Sequence, residues 1–285
     1  MSFSSQIKEK LCGIKYACEN CALCETAGAI DFGGSVSERE IKFTTEKDFV
    51  ARRVRDDILR TFGISTEIVS ASRIMRIRID NIYQIENIAD GISHKGDIPF
   101  SCCRASFVRG AFLGGGSVTD PQKEYHMEFN TRSGENAVFL QKILEQDGFS
   151  SKITQRKGYY VVYIKGGEEI ADILGYMGAP QGAFELYSVQ IEKDMRNAVN
   201  RRVNCENANT NKAARASSKH LVAISKIKNA KSWDKLPEVL REIGELREEY
   251  PEDSLKELGE KTNPPIGKSG VNHRLNRILE IAENI

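Results

Sequence analysis

The residues with the most obvious chemistry are the cysteines. Cys12, Cys18, Cys21 and Cys24 fall within thirteen positions, and Cys18-x-x-Cys21-x-x-Cys24 has the spacing of a zinc or iron–sulfur ligand run. Such a run normally needs a second ligand knuckle or a histidine close by, and neither follows it. Thiols also bury readily as small apolar groups. The sequence therefore assigns no metal and no cofactor, and keeps these four cysteines as the alternative ligand set. Cys102, Cys103 and Cys205 read as buried. The histidines, His94, His126, His220 and His273, are scattered, so no Ser/His/Asp or Cys/His catalytic group can be assembled. Ile266-Gly267-Lys268-Ser269 looks like the end of a phosphate-binding loop, but Thr262 stands where the loop needs glycine and no strand precedes it.

A different chemistry, contact with phosphates and base edges, is written into the last third. Between Arg196 and Lys231 nine cations (Arg196, Arg201, Arg202, Lys212, Arg215, Lys219, Lys226, Lys228 and Lys231) face one anion, Glu206. Charge runs are usually solvated helix faces, yet an excess of one sign this large attracts a phosphate backbone by releasing its counterions. Further on, Ser254 and Glu257 form a capping box for a helix over Leu255–Lys261. The turn Thr262-Asn263-Pro264-Pro265 cannot be helical, and Ser269 is expected to cap a last helix, Val271–Ala282. Val271, Leu275, Ile278 and Leu279 form that helix's inner face. Lys268, Ser269, Asn272, His273, Arg274, Asn276 and Arg277 are left for the outside. Two helices on a tight turn make a helix-turn-helix, and Asn and Arg suit bidentate contacts in the major groove. A plain helical bundle is the alternative.

The elements that must carry these groups fall into a duplicated part and a helical part. Thr26-Ala27-Gly28-Ala29-Ile30-Asp31-Phe32-Gly33-Gly34-Ser35-Val36 and Phe107-Val108-Arg109-Gly110-Ala111-Phe112-Leu113-Gly114-Gly115-Gly116-Ser117-Val118 are small-residue helices, each running into a strand. Gly33 and Gly115 are 82 positions apart, and Phe43-Thr44-Thr45 and Phe129-Asn130-Thr131 are 86 apart. Each unit continues strand, amphipathic helix, two strands, helix. Matched order at matched spacing predicts a duplication, with two small-residue helices packed at its seam. Strands are expected over Glu40–Thr45, Ser65–Val69, Ile74–Asp80, Tyr125–Thr131, Lys152–Gln155 and Tyr159–Lys165. The class is α+β: a pseudo-twofold domain over residues 1–180 (halves about 1–95 and 96–180), a basic Asn-rich linker over 181–215, and a small all-α domain over 216–285.

The first domain resembles the LAGLIDADG homing endonuclease fold, whose motif aligns with Thr26 to Ser35 and with Val108 to Ser117. The resemblance implies two saddle-shaped sheets with paired central helices, and an acidic residue near each helix end to hold divalent metal. Gly33 and Gly115 occupy those positions here. Asp31 lies two residues earlier, opposite Leu113, so no symmetric clamp of carboxylates forms and hydrolysis is not expected. Together with the Gly267-Lys268-Ser269-Gly270-Val271-Asn272-His273-Arg274-Leu275 signature, the chain is similar to the WhiA family of Gram-positive transcription regulators. That resemblance implies a non-enzymatic, sequence-specific binder of double-stranded DNA at promoters, with roles in cell division, chromosome segregation and sporulation.

Composition bounds the rest. With net charge +1 over 285 residues, any affinity for nucleic acid must be local. No apolar run reaches the ~18 residues that span a membrane, and seven cysteines without a secretory leader point to a reducing, cytoplasmic setting, nucleoid-associated if DNA is bound. Expected contacts are Lys268, Ser269, Asn272, His273, Arg274, Asn276 and Arg277 on base edges. Arg201, Arg202, Lys212 and Arg215 in the linker, and Arg76, Arg78 and Arg132 on the sheets, would grip the backbone, with Arg156 and Lys157 beside them. The alternatives are an active divalent-metal endonuclease, using Asp31 or another carboxylate, and a scaffold that recruits transcription or division proteins. No small-molecule substrate and no membrane partner is expected.

Overall fold

Two helices with glycine along their mutual contact set the geometry of the first half of the chain. The computed structural model describes residues 1–93 and 98–285. His94 and the expected border between halves at 95/96 lie outside these described residues. Two compact units are present, Met1–Asp194 and Met195–Ile285.

In the first unit, α1 (Phe3–Cys12) precedes α2 (Asn20–Gly33), β1 (Gly34–Val36), β2 (Ile41–Thr45), α3 (Asp48–Phe62), β3 (Ile68–Ala71), β4 (Ile74–Ile79) and α4 (Ile82–Ser93). The second pass runs α5 (Ser101–Gly115), β5 (Gly116–Val118), β6 (Met127–Thr131), α6 (Gly134–Gln146), β7 (Lys152–Arg156), β8 (Tyr159–Ile164) and α7 (Gly167–Met177). The antiparallel sheets share one topology, β1-β2-β4-β3 and β5-β6-β8-β7. Two differences from the sequence reading have plain causes. α1 was not anticipated; it buries Phe3, Ile7 and Leu11, and Ser2 caps it by accepting from the Ser5 N–H. β3 starts at Ile68, three residues later than expected, because its partner in the ladder is Ile77.

α2 and α5 run parallel and touch backbone to backbone. A Cβ at Gly28 would overlap the Phe107 carbonyl, and one at Gly110 would overlap the Glu25 carbonyl. Glycine costs ~1 kcal/mol in a helix interior; here it permits a contact that no other residue allows. Phe43, Phe107, Phe112 and Phe129 fill the space beneath the pair, fully buried, with Phe129 edge-on to Phe32 and Phe112 at 6.4 and 5.9 Å.

α8 (Pro180–Asn229) follows. The Asn-rich stretch expected as a linker is part of this helix, which runs on to Asn229. The second unit continues with a 3-10 turn at Trp233–Lys235, α9 (Glu238–Glu249), α10 (Leu255–Lys261) and α11 (Lys268–Glu283). Its core is Ile224, Ile227, Trp233, Ile243, Leu258, Val271, Leu275 and Ile278. Arg247, buried, donates from Nη1 to the carbonyls of Tyr250, Pro251 and Asp253 (3.3, 3.3 and 2.7 Å), closing the turn into α10. Beside it His220 is buried as the neutral ring; burial, then the Arg247 charge, pull its pKa down from 6.5 to about 4.

A base whose folded pKa is depressed stabilises the fold fully above its unfolded value and loses that contribution as pH falls. Between pH 7.5 and 5, urea unfolding of the second unit should therefore weaken by about 1–2 kcal/mol. Trp233, the chain's single tryptophan, reports on that unit's core by fluorescence. His220→Leu should flatten the slope, and an unchanged slope would exclude His220 as its source.

Candidate nucleic-acid interface

The turn between α10 and α11 is fixed by its own backbone. Ile266 N–H donates to the Gly259 carbonyl at 3.0 Å. The buried Thr262 hydroxyl lies 2.9 Å from the same carbonyl and 3.0 Å from that of Pro264. Ser254 and Glu257 form the expected capping box. Ser269, however, is not a cap: α11 begins one residue before it, behind Gly267.

With Val271, Leu275 and Ile278 turned inward, helical spacing leaves Lys268, Ser269, Asn272, His273, Asn276 and Arg277 exposed. Arg274 departs from the expectation of an outer face. Its guanidinium lies 3.4 Å from the Glu242 carboxylate on α9, its side chain only 21% exposed. Glu242 also accepts from the Asn263 N–H at 2.8 Å, so one carboxylate ties α9, the turn and α11 together. Arg277 stays in solvent, paired with Glu280 at 2.7 Å.

Along α8, Arg196, Arg201, Arg202, Lys212, Arg215 and Lys219 are exposed; Arg202 pairs with Glu206 at 3.1 Å. The last cations of the stripe serve the bundle instead. Lys226 donates to the Ala282 carbonyl at 2.8 Å, while Lys228 pairs with Glu248 and lies 5.0 Å over the Trp233 ring.

On the first sheet Lys42 pairs in register with Arg78 and Thr44 with Arg76, which sets all four on the face away from buried Ile41, Phe43, Ile77 and Ile79. Arg78 is held by Glu40 at 3.0 Å. The matching face of the second sheet is less basic. Glu128 and Tyr163 pair there, and exposed Arg132 donates to the Tyr159 hydroxyl at 3.2 Å. Arg156 pairs with Tyr159 at the hairpin end, and Lys157 is in its turn with φ 49°.

Where a metal-dependent nuclease of this fold needs carboxylates, the helix ends leave no room. A Cβ at Gly33 would lie 2.6 Å from the Phe43 ring and 2.7 Å from the Gly114 Cα. One at Gly115 would lie 2.5 Å from the Phe32 carbonyl and overlap that of Asn130. Asp31 is opposed by fully buried Leu113. These residues do not fit a symmetric pair of divalent ions. Gly115→Asp is accordingly expected to destabilise the first unit by about 1–3 kcal/mol, the cost of overpacking a tight core. Urea unfolding followed by circular dichroism would check this, and an unperturbed midpoint would refute the close approach.

The chain matches the WhiA C-terminal HTH domain over residues 199–282 and the WhiA LAGLIDADG-like domain over residues 104–196. It is 39% identical to a protein of Alkaliphilus metalliredigens named "Probable cell division protein WhiA", covering 99% of this chain and 98% of that one. The chain belongs to the WhiA family. A relative of the same name from Ruminiclostridium cellulolyticum is 41% identical, with 100% and 98% covered. The crystal structure of full-length WhiA from Thermatoga maritima superposes with TM-score 0.65 at 27% identity, covering 100% of this chain and 99% of that one. The α+β class, with two sheets, a LAGLIDADG-like domain and a helix-turn-helix region, is thus that of WhiA.

Two arrangements in this WhiA-family chain escaped sequence reasoning. The first is a buried ionic network in the seam. Glu25 receives Arg109 Nε at 2.5 Å and Arg53 Nε at 2.8 Å, and Arg53 also meets Asp57 at 3.3 Å. Arg109 further donates to the Met177 carbonyl and the Ser106 hydroxyl at 3.0 and 2.9 Å. Its only signal was a charge inside each small-residue helix. The second is the cysteine set: Cys18 and Cys21 meet Cys102 and Cys103, the pair read as merely buried, whereas Cys12 and Cys24 stand outside the group.

Proposed function

We propose that this chain is a sequence-specific DNA-binding regulator that acts at promoters, with roles in cell division, chromosome segregation and sporulation, and that its first unit does not cleave DNA. The observation that carries the reading is α11: one face is buried in the bundle, and the opposite one offers Lys268, Ser269, Asn272, His273, Asn276 and Arg277 to solvent. The amides of Asn272 and Asn276 and the guanidinium of Arg277, at i, i+4 and i+5, suit the edges of adenine and guanine in a major groove. The exposed cations of α8 and the basic face of the first sheet would add sequence-independent grip. The names of the relatives support a place in cell division. No described helix is long and apolar enough to cross a membrane, and association with the nucleoid follows from the reading.

Selection of bound duplexes from a random pool by the full chain should converge on one motif, and recovery of unenriched sequence would overturn the proposal. A supercoiled plasmid incubated with magnesium or manganese should stay intact; cleavage lost on Asp31→Ala would restore the nuclease alternative. Replacing Arg201, Arg202, Lys212 and Arg215 together by Ala should flatten the log–log salt dependence of binding by about 3–4, since each phosphate contact contributes ~0.9. A slope that does not move would remove α8 from the interface.

A further inference from the structure

Four cysteines from distant parts of the sequence converge where the two seam helices begin. Cys18 lies just before α2, Cys21 in its first turn, and Cys102 and Cys103 in the first turn of α5. Their sulfurs all lie within 4.8 Å of one another. Cys18 Sγ is 3.3 Å from that of Cys21, 3.4 Å from Cys103 and 3.7 Å from Cys102. Cys21 and Cys103 are equivalent positions of the duplication, 82 apart like Gly33 and Gly115. We propose that Cys18, Cys21, Cys102 and Cys103 form a tetrathiolate site for one tetrahedral metal ion, zinc by its chemistry, which clamps the two halves of the first unit together.

The spacing selects the occupant. Four thiolates about 2.3 Å from a central ion, at tetrahedral angles, sit roughly 3.8 Å from one another. The three separations from Cys18 lie just below that value, and none of the others exceeds 4.8 Å. A cluster of several irons would hold its terminal thiolates further apart than one ion does, so the geometry favours a single metal. Four sulfur ligands complete the shell and leave no open position for substrate, which makes the site structural rather than catalytic. The charge also suits the place. Parallel packing of α2 and α5 brings two helix N-termini together, each carrying about half a positive charge. Zinc with four thiolates has net charge −2 and offsets both. Loading releases the thiol protons to solvent, so affinity should fall as pH is lowered. Half-buried Cys18 and Cys102 give the ion a way in, while buried Cys21 and Cys103 hold it from beneath.

The test is elemental analysis of the full chain, purified under reducing conditions with a tag free of cysteine and histidine. About one zinc per chain is expected, released by a mercurial reagent. The double variant Cys18→Ser/Cys103→Ser should fall below about a tenth of that loading, while Cys12→Ser and Cys205→Ser retain it. If the double variant fails to fold, cobalt loaded into the unmutated chain decides. A thiolate-to-cobalt charge-transfer band with intense tetrahedral d–d absorption supports the site, and the weak spectrum of an octahedral ion overturns it. Equimolar iron without acid-labile sulfide would keep the mononuclear site. Metal-free protein with a Cys18–Cys21 disulfide, or iron accompanied by sulfide, would overturn it.

Discussion

Glu25→Ala should cost the first unit about 3–5 kcal/mol of unfolding free energy, because removing one member of a buried ionic set leaves the others charged and uncompensated. Glu25 is 1% exposed, and both Arg109 and Arg53 aim a guanidinium nitrogen at it. After truncation, Arg53 would keep Asp57, while buried Arg109 would be left with the neutral Met177 carbonyl and Ser106 hydroxyl. Asp57 is itself perturbed: burial first, then the neighbouring Glu25 charge, push its carboxyl up to about 7. Without Glu25 that repulsion disappears, so Asp57 should ionise at lower pH and recover part of the loss. A carboxyl raised in the fold stabilises fully below its unfolded value and loses that contribution as pH rises through about 7. The deficit of the Ala variant should therefore be smaller at neutral pH than at pH 5, where native Asp57 has already taken up its proton. Glu25→Gln keeps the acceptor oxygen and should lie between the two. Urea unfolding by circular dichroism at both pH values measures all of this. A loss under about 1 kcal/mol would mean that water compensates the guanidinium groups, and the seam would then be less dry than its burial implies.

What the sequence disclosed and what it hid divide along one line. Local rules placed α10 at Leu255–Lys261, because a capping box opens it and a proline pair follows. Duplication placed α2 and α5, because glycine and alanine recur at one spacing and such a lack of bulk has few uses other than close packing. Long-range pairing was invisible. Cys102 and Cys103 look isolated until parallel packing of α2 and α5 carries them to Cys18 and Cys21. Glu25 and Arg109 sit 84 residues apart, and neither position announces the other. The Asn-rich stretch of α8 misled for the opposite reason. Asparagine is a mediocre helix former, and polar composition reads as a connector, yet the helix continues through it with every residue from Asp194 to Ala216 exposed. Arg274 lies a fraction of a turn from the outer face expected for it. It flanks the buried stripe of α11, and a long side chain on that flank reaches Glu242.

Arg274 and Arg277 are accordingly expected to fail in different ways when replaced by alanine. Arg277 is solvent-exposed and pairs with Glu280 on the same helix. If it reads a base, Arg277→Ala should weaken binding to the selected duplex by about 5- to 150-fold, the equivalent of 1–3 kcal/mol, with less effect on random DNA and none on unfolding. Arg274 is expected to act as a positioning residue, since its guanidinium is engaged by the carboxylate that also holds the Asn263 N–H. Its loss should reach DNA through the angle between α9 and α11. Glu242→Ala should then lower specific binding as Arg274→Ala does, and the double variant should be no worse than either single one, a coupling that independent sites do not show. Trp233 fluorescence should register the same coupling in urea unfolding, because α9, α11 and Trp233 share one core. Should Glu242→Ala leave specific binding intact or strengthen it while Arg274→Ala abolishes it, the salt bridge would instead be a resting partner that Arg274 leaves in order to meet DNA, and Arg274 would join Arg277 on the reading face.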